Sequence, residues 1–365
     1  MASSSKIRAF AAVEAGDKRV REWSYEPRAL QPNDVEIRIT ASGVCHSDLH
    51  QILQEWGPNE AKRPIVPGHE IVGYVVRAGP QATHKVGDRV AVGTGVGSCG
   101  QCEECSKGDE SYCPEWVDTY MGVHKATGTR THGGYADRVV VDSKFVFAVP
   151  PALPSTTAAP LMCAGITVYQ PLKRHFKENA AVGVVGIGGL GHLALQFARA
   201  LGYKRIVALT TSKDKGEASK KFGAQEYIVL SAEDDIKKHA RSLDVMLVTA
   251  SGDLNWKDLA SLMKVAGMMC MVGLPASREV RLPISSYIMK RLEFSGSLTG
   301  GTAMTPEMLQ VAALHKVRVA VELYPLEAAG ANAALDRVAA NLARFRCVLV
   351  PSSEMEAVKK EVEQG

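Results

Sequence analysis

Hydrophobic and polar positions alternate over the first 150 residues in short runs, VEIRIT, IVGYVV, RVAVG, YADRVVVD and FVFAVP, separated by glycine and proline turns. Runs of this kind and spacing predict strands of a β-rich, partly barrel-like unit. The pattern changes at PPALPS, residues 150–155. After a helical stretch over 158–176 the chain reads alternately as strand and helix: AVGVVG, LGHLALQFARALG, RIVALTT, KDKGEASKKFG, EYIVL, AEDDIKKHA, DVMLVTA, LNWKDLASLMKV and the strand MMCMVGL. Repeated βα units predict a doubly wound parallel sheet, and strands that are apolar throughout fit burial on both faces. LEFSGSL is expected to close that sheet, with MTPEMLQVAALHK returning the chain as a helix. The fold class is α/β, with a boundary near 155.

Composition narrows the function classes. The chain has 365 residues, 46% of them hydrophobic, enough for two cores. Its net charge of +4 comes from bases interleaved with acids, which excludes a nucleic-acid stripe. The most apolar window, from Ala180, is interrupted by His192, Gln196, Arg199 and glycines, which argues against a membrane span. MASSSKIRAF lacks the apolar core of a secretory signal and VKKEVEQG carries no peroxisomal or lipidation signal, so a cytoplasmic location is expected. Four of the eight cysteines crowd between Cys99 and Cys113, which in a reducing compartment suggests metal.

Gly186-Ile187-Gly188-Gly189-Leu190-Gly191 lies between an apolar strand and a helix. In that context Gly186 permits the tight turn, Gly188 lets the backbone approach a pyrophosphate, and Gly191 allows close helix packing. An NAD site usually ends its second strand with an acid for the ribose hydroxyls. This chain has Thr210, Thr211 and Ser212 there, followed by Lys215, with Asp214 after the strand. Hydroxyl donors and an ammonium group favour NADP through its 2′-phosphate. The bland alternative is an ordinary helix start capped by Ser212 or Asp214.

Two ligand sets follow. Cys99, Cys102, Cys105 and Cys113 have the spacing C-x2-C-x2-C-x7-C, which suits a closed, structural tetrahedral zinc site. An iron–sulfur cluster fits less well, because the fourth spacing is seven residues and no second cluster motif exists. In GVCHSDLH, Cys45 could be a nucleophile, a ligand or a small buried hydrophobe. With His69, Glu70 and Cys163 in a dinucleotide fold it reads as a ligand, since Cys, His, Cys with one open position suits alcohol oxidation. Cys270 and Cys347 read as buried structural residues.

GVCHSDLH, VPGHE, the CGQCEEC to YCP loop, LMCAGITVY, GIGGLGH and FSGSLTGG occur in one order along the chain. In that order the sequence closely resembles the zinc-dependent medium-chain alcohol dehydrogenases. The nearest branch is that of cinnamyl-alcohol-type dehydrogenases and broad-range NADPH aldehyde reductases. The resemblance implies a GroES-like catalytic domain over 1–155 completed by 296–365, a Rossmann NADP-binding domain over 156–295, and a cleft holding the catalytic zinc. It implies that Cys45, His69 and Cys163 bind that zinc with Glu70 beside it, that Asp48 orients His69, and that Ser47 and His50 relay the substrate proton. It further implies pyrophosphate contacts from His46 and Arg346, and cofactor contacts from Thr167, the Val272 backbone and Ser297. QILQEWGPNEAKRP would shape the substrate mouth, with Trp56 as a pocket wall and Trp116 a weaker one.

The implied activity is interconversion of primary alcohols and aldehydes by hydride transfer with NADP(H), favouring aldehyde reduction, with two zinc ions per chain. A small-molecule substrate, no nucleic acid, no membrane and a homodimer through the cofactor domains complete the expectation. Two alternatives stand beside it: a zinc polyol dehydrogenase acting on secondary alcohols, and a non-enzymatic NADP-binding or zinc–thiolate redox sensor.

Overall fold

The computed structural model describes residues 6–59, 62–275 and 277–364. Glu60 and Ala61, part of the expected substrate mouth, lie outside the described residues. The chain divides into two units. One runs to Cys163 and resumes over Gly300–Ala313 and from Arg318 onward; the other holds Ala164–Thr299 and Leu314–Val317. The divisions fall after Cys163 and Thr299, where the sequence reading put 155 and 295.

The spine of the first unit is the strand Asp34–Val44. One edge pairs antiparallel with Ile71–Ala78, which leads on to Arg89–Val92 and Val146–Ala148. The other edge is shared: Arg138–Asp142 covers the Asp34 end and Arg346–Val350 the Val44 end, with Cys347 opposite Val44. Val321–Pro325 pairs parallel with Arg346–Val350 and ends the sheet. The alternating runs of the sequence put Ile37, Ile39, Ile71, Val90, Val92 and Val141 into one core, joined by Leu349 from the far end of the chain. Cys45 follows a strand end that is therefore held on both edges.

The second unit is built on a parallel sheet in the order Glu226–Val229, Arg205–Thr210, Ala181–Val185, Leu243–Val248, Met263–Met271, Glu293–Gly296. In sequence terms this is 3-2-1-4-5-6, the order in which ligands bind where the winding reverses, next to the first strand. Val185, Val207, Leu209, Ile228, Met246 and Leu259 fill the core on one face.

Local readings differ in several places. Met263–Val265, expected to continue the helix LNWKDLASLMKV, begin a strand instead. The helix Trp256–Leu262 stops because Met263 pairs with Leu243 and is fully buried, and the ladder resumes at Met268 after a bulge. The helices Ile284–Lys290 and Ala328–Ala339 went unassigned in the sequence. Among the described residues no helix is long and apolar enough to cross a membrane.

Candidate metal centres and cofactor loop

Cys45 is the extended residue before the short helix His46–Ile52. Asp48, on the inner face of that helix, is fully buried. Its Oδ2 accepts from the Cys45 amide at 3.0 Å and from the Tyr135 hydroxyl at 3.4 Å; its Oδ1 accepts from the Gly68 amide at 3.1 Å and from His69 Nδ1 at 3.2 Å. One carboxylate thus fixes both the backbone of Cys45 and the ring of His69. With Nδ1 donating, Nε2 of His69 is turned towards the sulfurs, and it is buried with no hydrogen-bond partner.

Cys163 arrives on another element. The helix Ser155–Pro160 widens into a π turn over Leu161–Gly165 before tightening again at Ile166–Arg174. Such turns occur often where a helix must present a functional side chain. One ligand atom each from Cys45, His69, Glu70 and Cys163 lies within 4.8 Å of the others. Glu70 is fully buried; its Oε1 pairs with the Arg346 guanidinium, while Oε2 has no partner. Arg346, expected at a pyrophosphate, is therefore engaged with Glu70, and its Nε is buried without a partner.

The protons of this cluster are arranged for displacement. The thiol hydrogen bond from Cys163 draws Cys45 well below its ordinary value, against burial, while Cys163 is raised by the same contact. Burial acts to lower His69, but Asp48 and the Cys45 thiolate hold it well above the usual histidine range. Burial pushes Glu70 up to about 7 against the pull of Arg346. Metal binding to such a set displaces the protons that remain on it. Two sulfurs, an unpaired imidazole nitrogen and an unpaired carboxylate oxygen in one dry pocket are a fitting shell for zinc.

The second set, Cys99, Cys102, Cys105 and Cys113, also keeps its sulfurs within 4.8 Å. Backbone amides point at them: Cys102 at 3.3 Å and Gln101 at 3.5 Å donate to Cys99 Sγ, and Cys99 at 3.4 Å and Glu115 at 3.3 Å donate to Cys113 Sγ. The two amide bonds to Cys99 help bring its thiol down to about 6. The lobe is tied to the returning C-terminal segment of the same unit, where Thr302 donates to Glu110 through its amide at 2.9 Å and its hydroxyl at 2.7 Å.

Beside the first set, Ser47 Oγ lies 3.6 Å from Cys45 Sγ. The rings of His46 and His50 are 5.5 Å apart, and Trp56 stacks on His50 at 5.2 Å. His50 Nδ1 is hydrogen-bonded to Glu55, a partner the sequence reading missed. It also missed Tyr135 on Asp48 and Tyr120, whose ring stacks on His69 with centroids 5.8 Å apart.

In the second unit Gly186 has φ of +86°, a left-handed conformation that glycine adopts without strain. A Cβ on Gly191 would come 1.9 Å from the Gly186 carbonyl, whereas one on Gly188 would meet nothing within 4 Å. Gly186 thus makes the turn, Gly188 leaves open space beside its backbone and Gly191 packs closely; Gly189 and Leu190 complete the turn into the helix Gly191–Ala200. Thr210 is buried, its hydroxyl donating to the Ser212 carbonyl at 2.9 Å. Lys215 Nζ is 3.5 Å from Thr211 Oγ1, and Ser212 caps the helix Lys213–Ser219 by accepting from the Lys215 amide at 3.4 Å. The Val272 amide is taken by the Val248 carbonyl at 3.0 Å. Ser297 Oγ is buried without a partner, and Thr167 is half-buried.

Comparison with known proteins agrees in both units. Residues 31–151 match the alcohol dehydrogenase GroES-like domain family and residues 189–313 the zinc-binding dehydrogenase family. Cinnamyl alcohol dehydrogenase 2 of Arabidopsis thaliana is 40% identical over 353 residues, covering 94% of this chain and 93% of the relative. A cinnamyl alcohol dehydrogenase structure from Sorghum bicolor superposes with a TM-score of 0.87 at 36% identity, covering 94% of this chain and 97% of the other. The CAD of Helicobacter pylori, solved complexed with NADP(H), gives 0.85 at 30% identity, covering 94% and 98%.

Proposed function

The chain belongs to the zinc-dependent medium-chain alcohol dehydrogenases, in the cinnamyl-alcohol-dehydrogenase-like branch, and on that premise we propose that it interconverts primary alcohols and aldehydes with NADP(H), favouring aldehyde reduction. The observation that carries the reading is the cluster of Cys45, His69, Cys163 and Glu70 around an unpaired Nε2, with Asp48 behind it. Cys45, His69 and Cys163 would hold the catalytic zinc with Glu70 as a nearby exchangeable ligand, and Cys99, Cys102, Cys105 and Cys113 the structural one. When bound, zinc supplies a Lewis acid for the substrate oxygen and NADP(H) supplies the hydride.

The protein's own groups handle the proton and the fit. Ser47 takes the alcohol's proton and His50 exchanges it with solvent, the ring held by Glu55 and by stacking on Trp56. His46 and Arg346 are assigned to the cofactor pyrophosphate, Thr167 and the Val272 backbone to its nicotinamide side, Ser297 to a further cofactor contact, the Gly186–Gly191 turn to its phosphates, and Thr210, Thr211, Ser212 and Lys215 to the 2′-phosphate. Residues up to 155 and from 296 then form the catalytic domain, and 156–295 the NADP-binding domain.

A homodimer through the cofactor units is part of the proposal. The strand Glu293–Gly296 has an unpaired outer edge among the described residues, with Ile288, Met289, Leu274 and Leu298 exposed nearby in the same unit. An exposed apolar edge of this kind invites pairing with a second copy. The free cysteines suit a reducing compartment such as the cytoplasm.

The test is NADPH consumption by zinc-loaded protein, followed by absorbance over a panel of aldehydes and ketones. Oxidation of NADPH with primary aldehydes is expected. Turnover of ketones alone, or none with any carbonyl compound, would overturn the reading.

A further inference from the structure

The segment Val117–Tyr120 connects the four-cysteine lobe to the first metal cluster. Its backbone is pinned: the Thr119 amide donates to the Thr94 carbonyl at 3.1 Å, and Asp118 pairs in register with Gly95 across a short antiparallel ladder. Val117, Thr119 and Tyr120 are buried, and the Tyr120 ring lies against His69 with an interplanar angle of 24°. Asp118, two residues before that ring, is exposed.

One oxygen of Asp118 is already engaged. The Trp116 indole Nε1 donates to Oδ1 at 3.0 Å. That indole is itself fixed, edge-on to Phe145 at 6.2 Å and seated so closely over Gly95 that an added Cβ there would come within 1.8 Å of it. Oδ2 has no hydrogen bond, and Asp118 makes no ion pair among the described residues. His69 and Lys62, the latter from the expected substrate mouth, are both within electrostatic reach of it. Asp48 is held by His69, and Glu70 pairs with Arg346 through one oxygen and turns the other to the metal cluster. Asp118 is thus a carboxylate held by Trp116, with one oxygen free of protein partners among the described residues, two residues along the chain from the ring that stacks on His69.

An acceptor held in that position discriminates among substrates by what it costs to cover it. An apolar chain or aromatic ring laid over Oδ2 removes its water and returns nothing, whereas a hydroxyl replaces the lost hydrogen bond with a charge-assisted one. We propose that Asp118 is a specificity residue that selects primary alcohols and aldehydes carrying a further hydroxyl group along the chain, over apolar ones of equal length. The proposal rests on the dehydrogenase reading above and names the substrate class of that same site.

Zinc-loaded protein with NADP+ is assayed on size-matched pairs, 1,4-butanediol against 1-pentanol and 1,5-pentanediol against 1-hexanol. In the unaltered protein kcat/KM is expected to favour the diol of each pair. Asp118→Leu should reduce the diol-to-alkanol ratio by about ten- to a hundredfold, carried mainly by KM, with Asp118→Asn intermediate. A ratio that moves less than twofold in a zinc-replete, folded Asp118→Asn protein overturns the proposal. Binding gives a second readout, because the Trp116 indole touches Asp118: 1,4-butanediol should perturb tryptophan fluorescence in the unaltered protein and not in Trp116→Phe. If the diol perturbs Trp116 while neither alcohol is turned over, the dehydrogenase reading fails and the Asp118 contact is supported. Turnover with an unchanged ratio is the converse.

Discussion

Gly43 and Glu70 share a space that only one side chain can fill: a Cβ at position 43 would lie 1.9 Å from Glu70 Oε2. The absence of a side chain on the central strand is what admits a buried carboxylate to the metal cluster. Gly43→Ala is expected to push Glu70 away from Arg346 and to cost about 1–3 kcal/mol of stability through overpacking. Thermal unfolding measures the cost. A variant as stable as the parent would show that Glu70 has room to move that the structure does not reveal.

The two cysteine sets should differ in what they sustain. Cys45→Ser and Cys163→Ala are each expected to lose one of two zinc ions and the activity while the fold persists. Cys102→Ala or Cys105→Ala should lower the unfolding temperature, since a closed site contributes folding free energy. Elemental analysis paired with calorimetry separates the cases. Iron in either site, or full activity with a single zinc, contradicts the assignment.

Asp48 holds His69 and the Cys45 backbone without reaching the metal position itself. Asp48→Asn should therefore weaken zinc retention by roughly ten- to a hundredfold, as loss of such an orienting partner generally does. Competition with a chelator gives the affinity directly. Unchanged retention would mean that Tyr120 and packing alone fix the imidazole.

The Ser212 side chain caps a helix as well as standing at the expected 2′-phosphate position, and one substitution separates these roles. Aspartate caps helices as well as serine does, so Ser212→Asp should leave stability nearly unchanged. It should nevertheless shift the NADPH-to-NADH preference by about ten- to a hundredfold, because a carboxylate repels the phosphate. Equal use of both cofactors by the parent protein removes the argument.

His132, which belongs to neither cysteine cluster, provides a pH signature. Burial, aided by Arg130, pushes it down to about 4, and its ring packs on Tyr25 at 4.2 Å and Trp23 at 5.6 Å. A histidine lowered on folding contributes stability that is complete above the unfolded value of about 6.5 and lost as pH falls towards 4. The loss from this residue is on the order of 3 kcal/mol. Denaturant midpoints between pH 7 and pH 4 should fall less steeply in His132→Gln than in the parent; parallel curves would contradict this.

The sequence displayed those parts of the site that are carried by local spacing. C-x2-C-x2-C, the glycine turn and the βα alternation each lie within a short stretch, and the structure forms the strands and glycine geometry where the pattern puts them. What it hid are partners brought from afar by the sheet. Tyr120 and Tyr135 meet His69 and Asp48 only because the chain returns past them, and no periodicity marks an aromatic residue as a lid on an imidazole. Arg346 reached Glu70 through the pairing of the last strand with Asp34–Val44, a register that hydrophobicity alone does not specify. Glu55 was closer at hand, yet its bond to His50 spans five residues across a helix end, outside the regular three- and four-residue spacing. Met263 failed for a related reason: an apolar run reads equally as helix or buried strand until its neighbour in the sheet is known.

The strand Arg346–Val350 is buried throughout and lies between Asp34–Val44 and Val321–Pro325. During synthesis the parallel sheet of the second unit, which needs nothing beyond Gly296, can close while that strand is still inside the ribosome. The sheet that presents Cys45 and His69 must wait, its Val44 edge bare, for a partner about three hundred residues downstream. Nascent chains should therefore gain the dinucleotide fold before the metal-bearing one, and the waiting edge is where a chaperone would be needed.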